Sequence, residues 1–263
     1  MSATQIPASP PAPRLRWWQR LGDEIAVHQA GVAPEVQIAL VICPILCILQ
    51  HYDGDVNFYN AHLASFFSKV ALHEVFAHVY WFLASFVAYF AIPLIVLRVT
   101  KMMPVSETGL GLGDWRIGLP IAASLYLFML GCLLVVARWP EFGQGYPLNR
   151  AALASPAHFA LYETSYMAYF VAWEFFFRGF LTIGLHRRIG NLAIFVSTIP
   201  FAILHMGKPQ AEAMGSVIAG IALGMLAIRT RSIWWGFFLH GAVALTLDVL
   251  IFAGYGRSPG IVS

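Results

Sequence analysis

Two opposite charges interrupt one of the most aromatic runs of the chain, the nonapeptide AWEFFFRGF at 172–180. Glu174 and Arg178 are four residues apart with the glutamate first, so on an α-helix they would share a face and form an ion pair. Each charge would then offset the cost of burying the other. Such a pair fits a staple between helices as well as a functional site, because ionisable residues inside apolar helices usually face a protein interior.

Two histidines lie in later apolar runs, His205 in FAILH and His240 in FFLHG. Pro200 should kink the helix before His205, and Gly207 and Pro209 should end it shortly afterwards. Three separate helices would then each bring a polar group into one bundle. A carboxylate and two imidazoles can deprotonate water and stabilise an oxyanion. The pattern therefore predicts a hydrolytic site.

Three further acidic residues could join this site. Asp248 follows His240 by eight residues, about 12 Å along a helix, too far for direct contact, so we expect it to serve another partner such as His205. Glu212, in MGKPQAEAM just after His205, could supply a carboxylate base, and Glu163 lies in the same apolar run as Glu174.

A zinc site is a second chemical interpretation, since two histidines and a carboxylate are a plausible ligand set. His73, Glu74 and His78 look similar to the zinc-protease pattern HExxH. Their histidines are five residues apart instead of four, which puts them on different faces of a helix. We therefore expect that group to be structural.

The elements that carry these residues must lie in lipid. Of the 263 residues, 59% are hydrophobic and 11% charged, against roughly 25% charged in soluble domains. Continuous apolar runs, rather than the alternation of a barrel, predict an all-α polytopic bundle. The net charge of +3 then reflects the loops beside the spans and indicates no nucleic-acid partner. About seven spans are expected, at 35–51, 76–97, 118–137, 160–186, 190–205, 213–228 and 232–254.

The chain is predicted to have a simple organisation. Residues 1–30 would form a disordered Pro- and Ala-rich tail followed by an interfacial helix, where RLRWWQRLGDEIAVH mixes Arg with paired Trp. Residues 31–254 would form the transmembrane bundle, with 160–250 as its catalytic core, and 255–263 a second tail.

The order WEFFFRG, FAILH and LHG resembles the CPBP family (CAAX protease and bacteriocin-processing, also called Abi), whose motifs are EExxxR, FxxxH and HxxxN/D. The resemblance covers about 160–250, and Phe201 to His205 match FxxxH completely. It implies an intramembrane glutamic-type endopeptidase that uses Glu/His-activated water without an essential metal. It also implies a multi-pass protein of the bacterial plasma membrane that acts on membrane-embedded proteins or peptides.

The chain departs from the family pattern at two positions. Trp173 replaces the first glutamate, which in the family is held to activate water with the FxxxH histidine, and Ala244 replaces the Asn or Asp of the third motif. One hypothesis is a rewired enzyme whose base is Glu174, held between Arg178 and His205, or else Glu212. The others are a degenerate family member that binds membrane proteins, and a transporter in which these groups relay protons.

Overall fold

The computed structural model describes residues 16–254. The predicted tail at 255–263 and the first 15 residues of the N-terminal tail lie outside this range. The first helix, α1 (Trp17–Gln29), falls close to the predicted interfacial segment, and residues 17–27 are all exposed. Its place at a membrane surface and the division into domains stay predictions.

Helices make up every regular element of the described range, which confirms the all-α prediction. After α1 they follow in the order α2 (Pro34–Asp53), α3 (Val56–His62), α4 (Ala64–Phe67), α5 (Phe76–Phe86), α6 (Ile92–Thr100), α7 (Trp115–Val136), α8 (Pro140–Gly145), α9 (Pro156–Glu174), α10 (Gly184–Ile189), α11 (Leu192–Ile203), α12 (Gln210–Thr230) and α13 (Trp234–Phe252). Short 3-10 turns lie at His73–Val75, Val105–Glu107 and Arg150–Leu153, and π-helical segments at Val87–Ala91 and Phe175–Ile183.

Six helical segments of the described chain are long and apolar enough to cross a membrane: Pro34–Asp53, His73–Thr100, Trp115–Val136, Pro156–Ile189, Gln210–Thr230 and Trp234–Phe252. They confirm the predicted polytopic bundle. The expected span at 190–205 is shorter than the others, because α11 has only 12 residues, about 18 Å, against a hydrocarbon core of roughly 30 Å.

The segment Pro156–Ile189, which joins α9, a π-helical stretch and α10, is the central element of the bundle. Of its most apolar 18 residues 78% are buried inside the protein, compared with 11% for α7. Its aromatic side chains explain the difference, since Phe175, Phe176, Phe177 and Phe180 are all fully buried in the largest core cluster. The two charges singled out in the sequence therefore lie at the centre of the fold.

A π-helical stretch begins directly after Glu174 and continues to Ile183. The hydroxyl of Thr182 donates to the carbonyl oxygen of Phe177, five residues earlier, at 2.7 Å, and lies 2.7 Å from the hydroxyl of Ser197 on α11. Segments of this kind are rare and recur at functional sites. Here the stretch changes the direction of the side chains that follow Glu174.

Candidate active site

The Glu174 carboxylate is the centre of a buried polar group. Its Oε2 lies 3.3 Å from Nε of Arg178, and neither side chain is exposed to solvent. Its Oε1 lies 2.9 Å from Nδ1 of His240 on α13. The ion pair predicted from the spacing is therefore present, and a histidine from another helix completes it.

Helix α13 approaches the carboxylate so closely that a side chain at position 236 would collide with it. A Cβ built on Gly236 would lie 2.5 Å from Oε2 of Glu174. The start of α13 is held in place by the indole N–H groups of Trp234 and Trp235, which donate to the carbonyl oxygens of Leu110 and Leu112 at 2.7 and 2.9 Å. These contacts fix the distance at which His240 meets Glu174.

The Arg178 guanidinium is neutralised by Glu174 and packed against an aromatic ring. Its central carbon lies 4.3 Å from the ring centroid of Phe201 on α11, a cation–π geometry. None of its three nitrogens makes an aligned hydrogen bond to another residue of the described chain. Its contribution to the site is therefore a fixed positive charge behind the carboxylate.

His205, just after α11, has a defined tautomer. Its Nδ1 lies 2.7 Å from the carbonyl oxygen of Phe201, and because a carbonyl only accepts, Nδ1 must carry the proton. The neutral ring then has its lone pair on Nε2. The histidine motif thus positions an imidazole whose unprotonated nitrogen can accept a proton.

His240 is fixed in a similar way by a stronger acceptor. The ion pair with Arg178 keeps Glu174 ionised, so Nδ1 of His240 donates to the carboxylate. The rings of His205 and His240 are nearly parallel, 19° apart in orientation, with centroids 6.3 Å apart. The His240 side chain is 19% exposed, so it lies at the edge of the buried pair. Two imidazoles, each with its Nδ1 bonded to a different acceptor, therefore lie close together.

Trp173 occupies the position of the missing first glutamate. Its ring meets that of His205 edge to face at 5.9 Å and that of Phe201 at 5.9 Å. The expectation that Glu174 would lie between Arg178 and His205 differs from the structure, in which His240 takes the second place. The physical reason is that His205 is bonded to the Phe201 carbonyl and covered by the Trp173 ring.

Asp248 and Glu212 are not joined to either histidine by a hydrogen bond in the described chain. Asp248 lies beside Glu163 of α9, two turns of α13 away from His240. Glu212 accepts from the Tyr146 hydroxyl, which is 2.6 Å from both of its carboxylate oxygens. The suggested contact of Asp248 with His205 is thus replaced by one with Glu163.

Lys208 extends the Glu212 contact into a short network. Its ammonium lies 3.2 Å from the Tyr146 hydroxyl and 4.8 Å from the centroid of the same ring. Burial lowers the pKa of Lys208. Burial raises the pKa of the Tyr146 hydroxyl, and the nearby charge of Glu212 raises it further. Glu212 therefore has a local structural partner and is poorly placed to replace the missing base.

The metal interpretation receives no geometric support in residues 16–254, which contain no group of three or more His, Cys, Asp or Glu able to hold an ion. The carboxylate of Glu174 is turned to Nδ1 of His240 and to Arg178, a cation that repels a metal. In the HExxH-like segment, His158 binds Glu74 at 3.2 Å, whereas the His78 ring packs against Phe82 and Tyr162.

Sequence reasoning missed one residue of the site. Gly236 lies four residues before His240, one helical turn away, and a glycine on the face that carries a functional histidine is a signal of close approach. The pairing of Glu174 with His240 instead of His205 had no such signal. It depends on how α11 and α13 pack against the central segment.

Comparison with known families matches this region. A family model described as "Type II CAAX prenyl endopeptidase Rce1-like" covers residues 159–246, which include Glu174, Arg178, His205, Glu212 and His240. Asp248 lies just beyond its end. No curated protein and no protein of solved structure matches the chain. The match supports a peptidase and confirms the resemblance read from the three motifs: residues 159–246 are similar to the Rce1-like family.

Proposed function

We propose that this protein is a multi-pass membrane endopeptidase of the CPBP type, which hydrolyses peptide bonds of membrane-embedded proteins or peptides with water. The observation that carries the proposal is the buried bond between Glu174 and His240, placed beside His205 within the matched segment. One imidazole can transfer protons to and from the reacting groups, while a second imidazole bonded to a carboxylate stabilises the oxyanion.

His205 is the general base of this scheme. Because Nδ1 is committed to the Phe201 carbonyl, Nε2 has the free lone pair and accepts a proton from water. The oxygen of that water bonds to the carbonyl carbon, and the electron pair of the C=O bond moves to its oxygen. When the tetrahedral intermediate collapses, the C–N bond breaks and His205 returns its proton to the leaving nitrogen.

His240 stabilises the oxyanion. In its protonated form, His240 donates from Nδ1 to the Glu174 carboxylate and from Nε2 to the negative oxygen. Glu174 is then a positioning residue that acts through His240. Arg178 fixes Glu174 from the other side, and its charge keeps the carboxylate ionised.

This assignment modifies the family scheme at one place. The family pairs its first glutamate with the FxxxH histidine, whereas here the Phe201 carbonyl orients His205 and Trp173 covers its ring. In this scheme the carboxylate therefore supports the oxyanion-binding histidine instead of the water-activating one. The scheme needs neither Glu212 nor Asp248 in contact with substrate.

The test is peptide cleavage in proteoliposomes by the full-length protein. The probes are a farnesylated peptide ending in a CAAX sequence, suggested by the description of the family model, and a panel of unmodified transmembrane peptides. We expect wild type to cut at least one probe and His205→Ala to cut none, with His62→Ala, an exposed histidine on α3, as the matched control. Equal cleavage by His205→Ala would overturn the proposal.

Trp173 favours one alternative, a family member that binds membrane proteins without cutting them. A buried indole stands where the family has a catalytic carboxylate. This alternative predicts that wild type retains a probe peptide on a column and releases it intact. Release of two fragments would exclude it.

A further inference from the structure

Helices α9 and α13 share a second polar contact that the proposed chemistry does not use. Glu163 on α9 and Asp248 on α13 bring their carboxyl groups together in the interior, with relative exposures of 7% and 0%. Glu163 is early in α9 and Asp248 late in α13, whereas Glu174 is late in α9 and His240 early in α13. The two helices are therefore antiparallel, and they meet at two polar contacts.

Within residues 16–254, each of the two carboxyl groups has only the other as a possible hydrogen-bond partner. None of their four oxygens receives a hydrogen bond from an N–H or O–H group of residues 16–254. Two ionised carboxylates side by side in an apolar interior would repel each other and would lack the solvation that their charges require. A carboxylic acid can donate to a carboxylate, so a single proton turns the repulsion into a hydrogen bond.

In the described part of the chain, no cation forms an ion pair or a hydrogen bond with either carboxyl group. Tyr162 of α9 lies near Asp248, and its hydroxyl accepts from the backbone N–H of Leu148 at 3.1 Å. Lys208 acts on Asp248 through space, but its ammonium is directed at Tyr146, which bonds Glu212. With Glu212 also acting on Asp248, the acidic groups outnumber the one lysine.

We propose that Glu163 and Asp248 share one proton, and that this acid–carboxylate bond holds α9 against α13 in the position that the Glu174–His240 contact needs. Both are positioning residues. The effect on catalysis rests on the proposed function, whereas the shared proton does not.

A dependence on pH follows from the bound proton. Since the packed state binds one proton more than two separated, solvated carboxylates would, raising the pH favours separation of α9 from α13. At neutral pH, where two separated carboxyl groups would both be ionised, stability should thus be full, and it should fall at higher pH as the pair loses its proton. Amides in place of both carboxyls would keep a hydrogen bond and remove the titration.

The direct experiment is infrared spectroscopy of the full-length protein in nanodiscs, which detects the C=O stretch of a protonated carboxylic acid. Wild type minus the double variant Glu163→Gln/Asp248→Asn should show this band at neutral pH. Glu212→Gln, a matched loss of one carboxyl in the neighbouring network, should leave the band in place. A difference spectrum without the band would overturn the proposal, and so would its loss in Glu212→Gln.

Thermal unfolding supplies a second measurement that needs no substrate. The melting temperature of wild type should fall between neutral and alkaline pH, and that of the double variant should change less over the same range. Parallel curves would contradict the shared proton. If the double variant cannot be purified, wild type alone decides, because its acid band must disappear as the pH rises.

Discussion

The interface of α9 and α13 buries acidic side chains at two contacts, and the negative charge is compensated differently at each. At one, Glu174 is neutralised by Arg178 on its own helix and bonded to His240 on the other. At the other, Glu163 meets Asp248, a group of the same sign, and we infer that a proton replaces the missing cation. An apolar interior accepts a carboxylate only with a compensating partner. A fixed partner keeps the charge available for chemistry, whereas a proton removes it.

The largest effect should come from removing the fixed cation. Arg178→Met leaves Glu174 buried without its counter-charge, which costs about 3–5 kcal/mol when one partner of a buried pair is lost. We expect a lower melting temperature in detergent and no peptide cleavage. Arg98→Met is the control, since Arg98 is exposed at the end of α6. An unchanged melting temperature for Arg178→Met would argue against a desolvated pair.

Glu174→Gln tests the charge while nearly preserving the shape. The amide oxygen can still accept from His240, but it no longer carries the negative charge that faces His240 and Arg178. We expect cleavage to fall by about 10²- to 10³-fold, the usual range for losing an oxyanion-stabilising group. The measurement is kcat for the peptide that wild type cuts. A kcat within a factor of about two of wild type would contradict the role given to Glu174.

Gly236→Ala should displace the Glu174 carboxylate by steric contact, without changing any charge. The added methyl would lie 2.5 Å from Oε2 of Glu174, so the carboxylate must shift from its position between Arg178 and His240. We expect a loss of activity together with about 1–3 kcal/mol of destabilisation. Gly131→Ala on α7 is the matched control, because its Cβ meets nothing within 4 Å, and alanine favours a helix by up to about 1 kcal/mol.

The smallest effect is expected at Glu212. Gln at this position keeps an oxygen that accepts from the Tyr146 hydroxyl, now 2.6 Å from the carboxylate. Cleavage by Glu212→Gln should therefore remain close to wild type when expression is matched. A loss as large as that of Glu174→Gln would instead indicate that Glu212 takes part in the reaction.

Much of the site could be predicted because its signals are local. The spacing of Glu174 and Arg178 is enough to place both on one helix face, and their ion pair is present. The apolar runs were sufficient to predict the bundle, and the three motifs were sufficient to predict the resemblance to the family. The short length of α11 was harder to predict from the sequence. Hydropathy measures how apolar a run is, whereas the helix begins and ends at local breaks beside Gly190 and Leu204.

The sequence by itself determined that the chain is a membrane helical bundle, which segment resembles the CPBP family and which ionisable residues lie inside the helices. These depend on composition and on spacing along one helix. Only the tertiary structure decided that Glu174 bonds His240, that Trp173 covers His205 and that Asp248 meets Glu163. Which residues of different helices meet depends on how the helices pack. The distance in sequence between residues far apart in the chain does not indicate that packing.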